Sequence, residues 1–458
     1  MMNTRITVGN RIGSGAYGNV YSAIVGTPLS KNSVIPDKVV AIKYIEFNKF
    51  KGLESLIETY IVRCLHHKSL IHALNVTIED CGKIKIMFPL AQCDTATVLR
   101  KRYFKIKPST LTRWFWEIST AVAYLHSNGI IHGDIKGGNI LVFGPQIPLV
   151  YDESVLEILD KCEVRLADFS LSVLVTDPKE GTRDMMRCIS YTGSHRATEV
   201  WKGDVWGYPA DIWALGCTFY ELQYAVNLFP DHRNYKNEVE ANILSHEDFC
   251  SKNMTIDKGI SIPHQSNSVP KEFKLDNFES SSMPNNMKSY VDFKPCNISP
   301  DWYQKSNGPI NDLILSMIMI NPNERYSIWD VVEHSYFSEI YDDKSLPLVE
   351  NRNYPHIKFA AEGIPSSLID EINTITLDKN VKSLALSLYL RSQKDSPIQV
   401  CVLVAHKLLY KVHPSNMAKI TPEIRDNEIL LCRKLNFALC PHVDRGDSPM
   451  LFNNIIFE

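Results

Sequence analysis

The distribution of apolar and polar positions changes character along the chain. Three short runs near its start, Ile6 to Ile12, Val20 to Val25 and Val39 to Ile45, are β-branched or aromatic and bounded by Gly, Pro or Asn, which predicts strands. From Leu53 the apolar residues fall at Leu53, Leu56, Ile57, Tyr60, Ile61, Cys64 and Leu65, the spacing of an amphipathic helix. Thereafter the pattern is mainly helical, with Leu111 to His126 and Tyr208 to Tyr224 as the clearest segments. Between about Asp231 and Asn307 the text is crowded with Asn, Ser, Lys and Pro and loses its period, which reads as a long surface insertion. A shorter insertion, Gly144 to Lys161, interrupts a strand-to-strand connection, and proline-containing text from Ser345 to Pro365 reads as a linker before a last helical block. In that block Gln399 to Tyr410 is apolar on nearly all sides until its end, the mark of a helix surrounded by other helices.

Composition narrows the function classes. The 458 residues are 44% hydrophobic and 22% charged, enough to bury a large core and far from a disordered or fibrous chain. Lys plus Arg (49) nearly balances Asp plus Glu (52), with no run of five like charges, so a basic nucleic-acid-gripping surface is not expected. No apolar stretch reaches the length of a membrane span, and the opening residues lack the layout of a secretory signal. The 11 cysteines are scattered without a CxxC pair, which suits a reducing compartment and supplies no zinc site. The expectation is a soluble intracellular protein, cytoplasmic or nuclear, without membrane or nucleic-acid partners.

Candidate chemistry begins with Ile12-Gly13-Ser14-Gly15-Ala16-Tyr17-Gly18-Asn19-Val20, a GxGxxGxV segment between strand-like residues. Glycines so spaced let backbone approach phosphate, and the valine after them can cover a flat base, although a ligand-free hairpin tip carries the same pattern. In the run Val40-Ala41-Ile42-Lys43 an ammonium sits among apolar neighbours and needs an acidic partner. Glu58 on the following helix is the natural one, with Glu54 one turn earlier as its rival. Later, His132-Gly133-Asp134-Ile135-Lys136-Gly137-Gly138-Asn139 gathers a carboxylate, a lysine and an amide in one glycine-rich loop, and Leu166-Ala167-Asp168-Phe169-Ser170 adds a second carboxylate after a short strand. Each aspartate alone could be a turn residue. Together they suit phosphoryl transfer: Asp134 accepts the proton of an attacking hydroxyl, and Asn139 and Asp168 offer hard oxygen ligands for Mg2+ on a nucleotide.

From Arg5 to Phe337 the chain resembles a eukaryotic-type serine/threonine protein kinase of the cyclin-dependent kind. The resemblance implies an α+β, two-lobed fold: a small β-rich lobe over 5–91, a large helical lobe over 92–338 carrying the 231–307 insertion, a 339–365 linker, and an all-helical module over 366–458. It implies ATP and Mg2+, protein substrates, and an ATP site formed by residues 12–20 (Ile12, Gly13, Ser14, Gly15, Ala16, Tyr17, Gly18, Asn19, Val20) with Ala41, Lys43, Glu58, Phe88 and Ala91. Asp134 matches the catalytic base, Lys136 its companion lysine, and Asn139 and Asp168 the metal ligands. Phe88-Pro89-Leu90-Ala91 matches the border of the adenine pocket, with Asp94 placed toward the ribose. Ala197-Thr198-Glu199 resembles the close of the activation segment, with Glu199 expected to pair with Arg325. Asp211 to Gly216 resembles the helix that braces the catalytic loop.

The departures also inform. Gly133 replaces an arginine that binds a phosphorylated activation segment, so no need for that modification is expected, although Thr176, Thr182, Ser190, Tyr191 and Thr192 lie in the segment. Ser170 and Thr198 replace a glycine and a proline. Arg196 resembles the arginine that shapes a pocket for proline after the target residue, which implies proline-directed phosphorylation. Ser383 to His442 resembles part of a cyclin box, with Ala405-His406-Lys407 and Glu428 at its characteristic positions, against an unrelated helical cap. The resemblance implies a cyclin-type contact, either within the chain or with an external partner. A pseudokinase scaffold and a small-molecule kinase are the rival classes.

Overall fold

The computed structural model describes residues 5–15, 18–26, 38–46, 53–79, 83–100, 106–148, 154–175, 182–183, 193–202, 204–229, 308–340, 366–376, 379–410 and 422–435. The chain divides into two compact units, 1–228 with 308–458, and Phe229–Asn307. Of the second unit only Phe229 is described, so the 231–307 insertion expected from the sequence lies outside the described residues, as does 341–365 of the linker.

The first unit opens with an antiparallel sheet of β1 (Arg5–Gly15), β2 (Gly18–Gly26), β3 (Lys38–Glu46), β4 (Asn75–Ile78) and β5 (Lys83–Pro89), in the order β1-β2-β3-β5-β4. Alternation places Ala23, Val40, Ile42 and Met87 in one apolar cluster, which fixes the register. Helix α1 (Leu53–Cys64) follows β3 and buries Leu56, Ile57, Tyr60 and Ile61, the stripe its 3.6-residue period predicts. A two-residue strand β6 (Cys93–Asp94) and α2 (Thr95–Arg100) lead into the long α3 (Pro108–Ser127), which starts on proline and buries Trp114, Phe115 and Trp116.

Four short strands hold the loops of interest. β7 (Ile130–Ile131) pairs with β10 (Val173–Leu174), and β8 (Ile140–Phe143) pairs with both β6 and β9 (Glu163–Leu166). The Gly144 to Lys161 insertion contains a helix the sequence reading did not place, α4 (Ser154–Asp160), with Val155 and Leu159 buried. Thr110 donates to Asp160 at 2.6 Å, and Arg113 donates to the carbonyls of Asp160 and Cys162 at 2.8 and 2.9 Å, tying the insertion to α3. A further backbone pair joins β11 (Thr182–Arg183) to β12 (Trp206–Gly207), with α5 (Thr198–Lys202) between them.

Helix α6 (Tyr208–Tyr224) is apolar on almost every face and is accordingly buried from Ala210 to Tyr220; Phe115 stacks on its Phe219 at 4.0 Å between ring centroids. α7 (Pro309–Met317) packs against it, and α8 (Ile328–Val332) packs against α3, its start closed by a Ser327–Asp330 capping box. The last block is helical: α9 (Ser366–Ile375), α10 (Lys379–Arg391), α11 (Ile398–Tyr410) and α12 (Pro422–Lys434). α11 lies at its centre, against α9, α10 and α12, with Val400 to Ala405 all buried. Lys407 on α11 and Glu428 on α12 form a buried ion pair at 2.6 Å. Among the described residues no helix is long and apolar enough to cross a membrane.

Candidate active site

The site is assembled from the sheet, α1 and the loops between β7 and β10. β3 carries Lys43 inward, and α1 brings Glu58 to it: Nζ lies 2.6 Å from Glu58 Oε1 and 3.3 Å from Asp168 Oδ1. Burial by itself pulls the Lys43 pKa down, but the two carboxylates outweigh it and hold the pKa above its ordinary value, so the ammonium is charged. Asp168 sits at positive φ (64°) after β9, a backbone setting that aspartate tolerates better than most residues and that turns its carboxylate toward Lys43. Burial pushes the Asp168 pKa up, yet Lys43 and a hydrogen bond from the Ser170 hydroxyl bring it below its ordinary value. The carboxylate is thus ionised, and its side chain is 43% exposed, open to a ligand.

The second cluster lies in the loop between β7 and β8. Asp134 Oδ2 accepts from Lys136 Nζ at 2.7 Å and from Asn139 Nδ2 at 2.9 Å; the same amide nitrogen donates to the Asp134 carbonyl at 2.8 Å. That pair of bonds fixes the Asn139 amide, leaving its oxygen as the acceptor end. His132 ties the two clusters together: its Nδ1 accepts from the Asp134 N–H at 3.2 Å, so Nε2 carries the proton and donates to the Ala167 carbonyl at 3.1 Å. Its ring meets Phe169 edge-on at 5.2 Å, and burial holds its pKa below the usual value.

Asp211, at the start of α6, organises this loop from below. Its Oδ2 accepts from the His132 N–H at 2.7 Å and lies 3.0 Å from His126 Nε2, while Oδ1 accepts from the Gly133 N–H at 3.0 Å. Burial pushes the Asp211 pKa up, but the His126 and Gly133 bonds win and hold it below 3.8. A carboxylate with a depressed folded-state pKa stabilises fully above its ordinary pKa, and that contribution is lost as pH falls through the folded-state value. Asp211→Asn keeps the shape but turns an N–H toward a buried donor, a loss of about 1–3 kcal/mol at neutral pH. In urea unfolding the gap between wild type and Asp211→Asn should be full near pH 6 and shrink below about pH 4.

Two glycines are required by close approach. A Cβ on Gly18 would lie 2.6 Å from the Tyr44 carbonyl, so only bare backbone lets β2 turn over β3 beside Lys43. Gly133 has φ +80° and a Cβ there would lie 2.7 Å from the Leu171 carbonyl. Gly133→Ala is expected to lower stability by roughly 1–3 kcal/mol, measured by thermal unfolding, with activity falling as the loop shifts.

The remaining sequence-predicted positions surround these clusters. Ile12, 51% exposed, lies in the last part of β1; Gly13 pairs with Val20, Ser14 with Asn19 and Gly15 with Gly18 across the β1–β2 turn. Ala16 and Tyr17 lie outside the described residues. Ala41 and Phe88 are buried cross-strand partners, and Ala91 follows β5 half-buried. Asp94, expected toward the ribose, accepts from the Thr97 N–H at 2.7 Å and the Thr97 hydroxyl at 2.9 Å, which makes it the cap of α2.

A model of the protein kinase domain family matches residues 6–337. The chain belongs to the protein kinase family. Among curated proteins this kinase is similar to the serine/threonine-protein kinase srb10 of Schizosaccharomyces pombe, 26% identical over 71% of this chain and 84% of that one. It is also similar to cyclin-dependent kinase E-1 of Arabidopsis thaliana, 26% identical over 75% and 70%, and to probable cyclin-dependent kinase 8 of Dictyostelium discoideum, 25% identical over 73% and 81%. In this kinase Glu199 and Arg325 form the expected ion pair, at 2.7 Å. One contributor is not announced by the sequence pattern. Ser170, which stands in place of a glycine, supplies a hydroxyl to Asp168. Arg196 lies near enough for the Asp134 charge to act on it; burial lowers its pKa to about 10 and Asp134 works the other way.

Proposed function

We propose the following division of labour in this serine/threonine protein kinase. Lys43, charged and held by Glu58, grips the inner phosphates of ATP beneath the glycine turn. Asp134, steadied by Asn139 and by His132, orients the incoming serine or threonine hydroxyl and accepts its proton, and Lys136 steadies the transferred group. Asn139 and Asp168 fit Mg2+, because the fixed amide presents oxygen and the ionised carboxylate is open, both hard donors. When bound there with the nucleotide, Mg2+ neutralises charge developing on the phosphates. The observation that carries this reading is the meeting of Lys43, Glu58 and Asp168 on one side of His132 with Asp134, Lys136 and Asn139 on the other.

Arg196, next to the Asp134 charge and at the end of the segment that closes on Glu199, supports a preference for proline after the phosphorylated residue. The cyclin-type contact is assigned to the chain itself, on the packing of α11 against α1, the helix that bears Glu58. The test is phosphate transfer from γ-labelled ATP to a degenerate peptide array with and without Mg2+. Divalent-dependent labelling of serine and threonine, strongest before proline, is the expected result. Nucleotide binding without transfer would mean a scaffold, and labelling indifferent to proline would remove the specificity assignment alone.

A further inference from the structure

The tight turn Gly137–Asn139, in the loop that carries Asp134, is where three elements meet. The Ile140 N–H closes the turn on the Gly137 carbonyl, and the Asn139 N–H donates to the Lys136 carbonyl at 2.9 Å. The same Gly137 carbonyl accepts a second bond, at 2.9 Å, from the hydroxyl of Thr95, the first residue of α2. Thr95 has no solvent exposure, and the Asp94 carboxylate, by taking the Thr97 N–H and hydroxyl, fixes the helix end from which it reaches. On the other side of the turn the Ala167 N–H donates to the Asn139 carbonyl at 2.8 Å, one residue before Asp168.

This chain of bonds runs from α2 through Gly137 to the two residues that offer hard oxygens, Asn139 and Asp168. The Gly137 carbonyl does not need Thr95 to be satisfied, because the Ile140 N–H already meets it; the hydroxyl takes the second lone pair and so holds the peptide plane against rotation. The direction of the Asn139 amide oxygen is then set by the turn, since its nitrogen is held by Asp134. α2 also packs against the turn and against β8, and a Cβ on Gly137 would press on the Thr95 hydroxyl at 3.2 Å. Asp211 thus secures the start of the catalytic loop at His132 and Gly133, and Thr95 secures its end.

We propose that Thr95 is a positioning residue for Mg2+: its hydroxyl, through the Gly137 carbonyl, holds the turn that keeps Asn139 and Asp168 together as a pair of ligands. This rests on the Mg2+ reading above and adds a residue outside the ligand set that tunes divalent affinity without touching ion or nucleotide. The bond from Ala167 to Asn139 is what carries the effect from the turn to Asp168. A hydroxyl that only filled buried space would cost stability on removal and leave divalent affinity as it was.

The test uses the full chain. Thr95→Val keeps the volume and removes the hydroxyl, whereas Thr95→Ser keeps the hydroxyl and removes the methyl. Mn2+ bound with a non-hydrolysable ATP analogue, followed by electron paramagnetic resonance, reads the site without turnover; initial rates against Mg2+ concentration at saturating ATP read it during turnover. Thr95→Val is expected to weaken Mn2+ binding about tenfold and to raise the half-saturating Mg2+ by a similar factor. Its kcat at saturating Mg2+ and its KM for peptide should stay within about twofold of wild type, and Thr95→Ser should do so in every readout. Wild-type Mn2+ affinity in Thr95→Val overturns the proposal. So does a Thr95→Ser as weak as Thr95→Val, which would assign the effect to the methyl group. Should Thr95→Val fail to fold, Gly137→Ala, which crowds the same hydroxyl, decides: weakened Mn2+ binding supports the proposal and unchanged binding overturns it. Should wild type hold no Mn2+ alongside nucleotide, the Mg2+ reading falls and the inference with it; Mn2+ binding without phosphate transfer removes the catalytic reading alone.

Discussion

Asp134→Asn is expected to lower kcat by about a hundred- to ten-thousand-fold, roughly 3 to 5 kcal/mol of barrier, while KM for ATP and the unfolding midpoint change little. The carboxylate is the only group in its loop able to accept a hydroxyl proton: His132 has its Nδ1 engaged by the Asp134 N–H and its Nε2–H donated to Ala167, and Lys136 is itself bonded to Asp134. Asparagine preserves the shape and an oxygen for Lys136 or Asn139, so the loop should stay in place. Its neutral amide cannot take the proton. In the proposed division of labour nucleotide affinity runs through Lys43 and Asp168, whose mutual contact the substitution leaves alone. Stopped-flow nucleotide binding and single-turnover transfer separate the two: intact binding with slow transfer is the expected outcome. Loss of both in proportion would mean that Asp134 holds the loop together and does not take part in the chemistry.

Much of this arrangement is legible in the sequence where local pattern decides it. Tyr208–Tyr224 is bounded as its apolar text suggests, and α1 buries the residues its period selects. The glycine-rich turn, Lys43 and the two aspartate loops stand out in the sequence because glycines, a lysine in an apolar strand and loop carboxylates at such spacing are the residue types the proposed phosphoryl transfer calls for. What could not be read are choices made by distant contacts. The sequence points to Glu58 as the natural partner of Lys43 and leaves Glu54 as a rival; the tertiary fold decides between them and pairs Lys43 with Glu58. α4 is short, and its hold on α3 depends on Arg113 and Thr110 meeting chain about 50 residues on. The seat of α11 on α1 and β10 is set by residues more than 200 positions away, and the Arg433 guanidinium of α12 meets the Ile78 carbonyl of β4 across 355. An apolar helix announces that it will be covered, and its partner is a property of the whole fold.

Arg325→Met is expected to be the most damaging single change for stability, about 3–5 kcal/mol, seen as a fall in the thermal midpoint of order 10 °C. The side chain has no solvent exposure, and each of its N–H groups is used: Nε bonds the Met319 carbonyl at 2.9 Å, Nη1 bonds Glu199 and the Pro209 carbonyl at 2.7 Å each, and Nη2 bonds Glu199 at 3.1 Å and the Ile320 carbonyl at 3.4 Å. Its guanidinium also lies over the Trp213 ring, 5.1 Å from the centroid. Removing it leaves the buried Glu199 carboxylate without its counter-charge and takes a donor from three carbonyls, and the uncompensated charge dominates the cost. The double change Glu199→Gln, Arg325→Met removes that charge and should recover a substantial part of the loss, because a buried pair costs more to break than to replace. Arg325→Lys keeps the charge but not the planar fork, and should fall between wild type and Arg325→Met. Glu199 lies in the first turn of α5, at the close of the segment that follows Asp168, so among folded molecules of Arg325→Lys the KM for peptide should rise more than the KM for ATP. Equal losses in Arg325→Met and the double variant would show that packing around Trp213, and not the ion pair, is what Arg325 supplies.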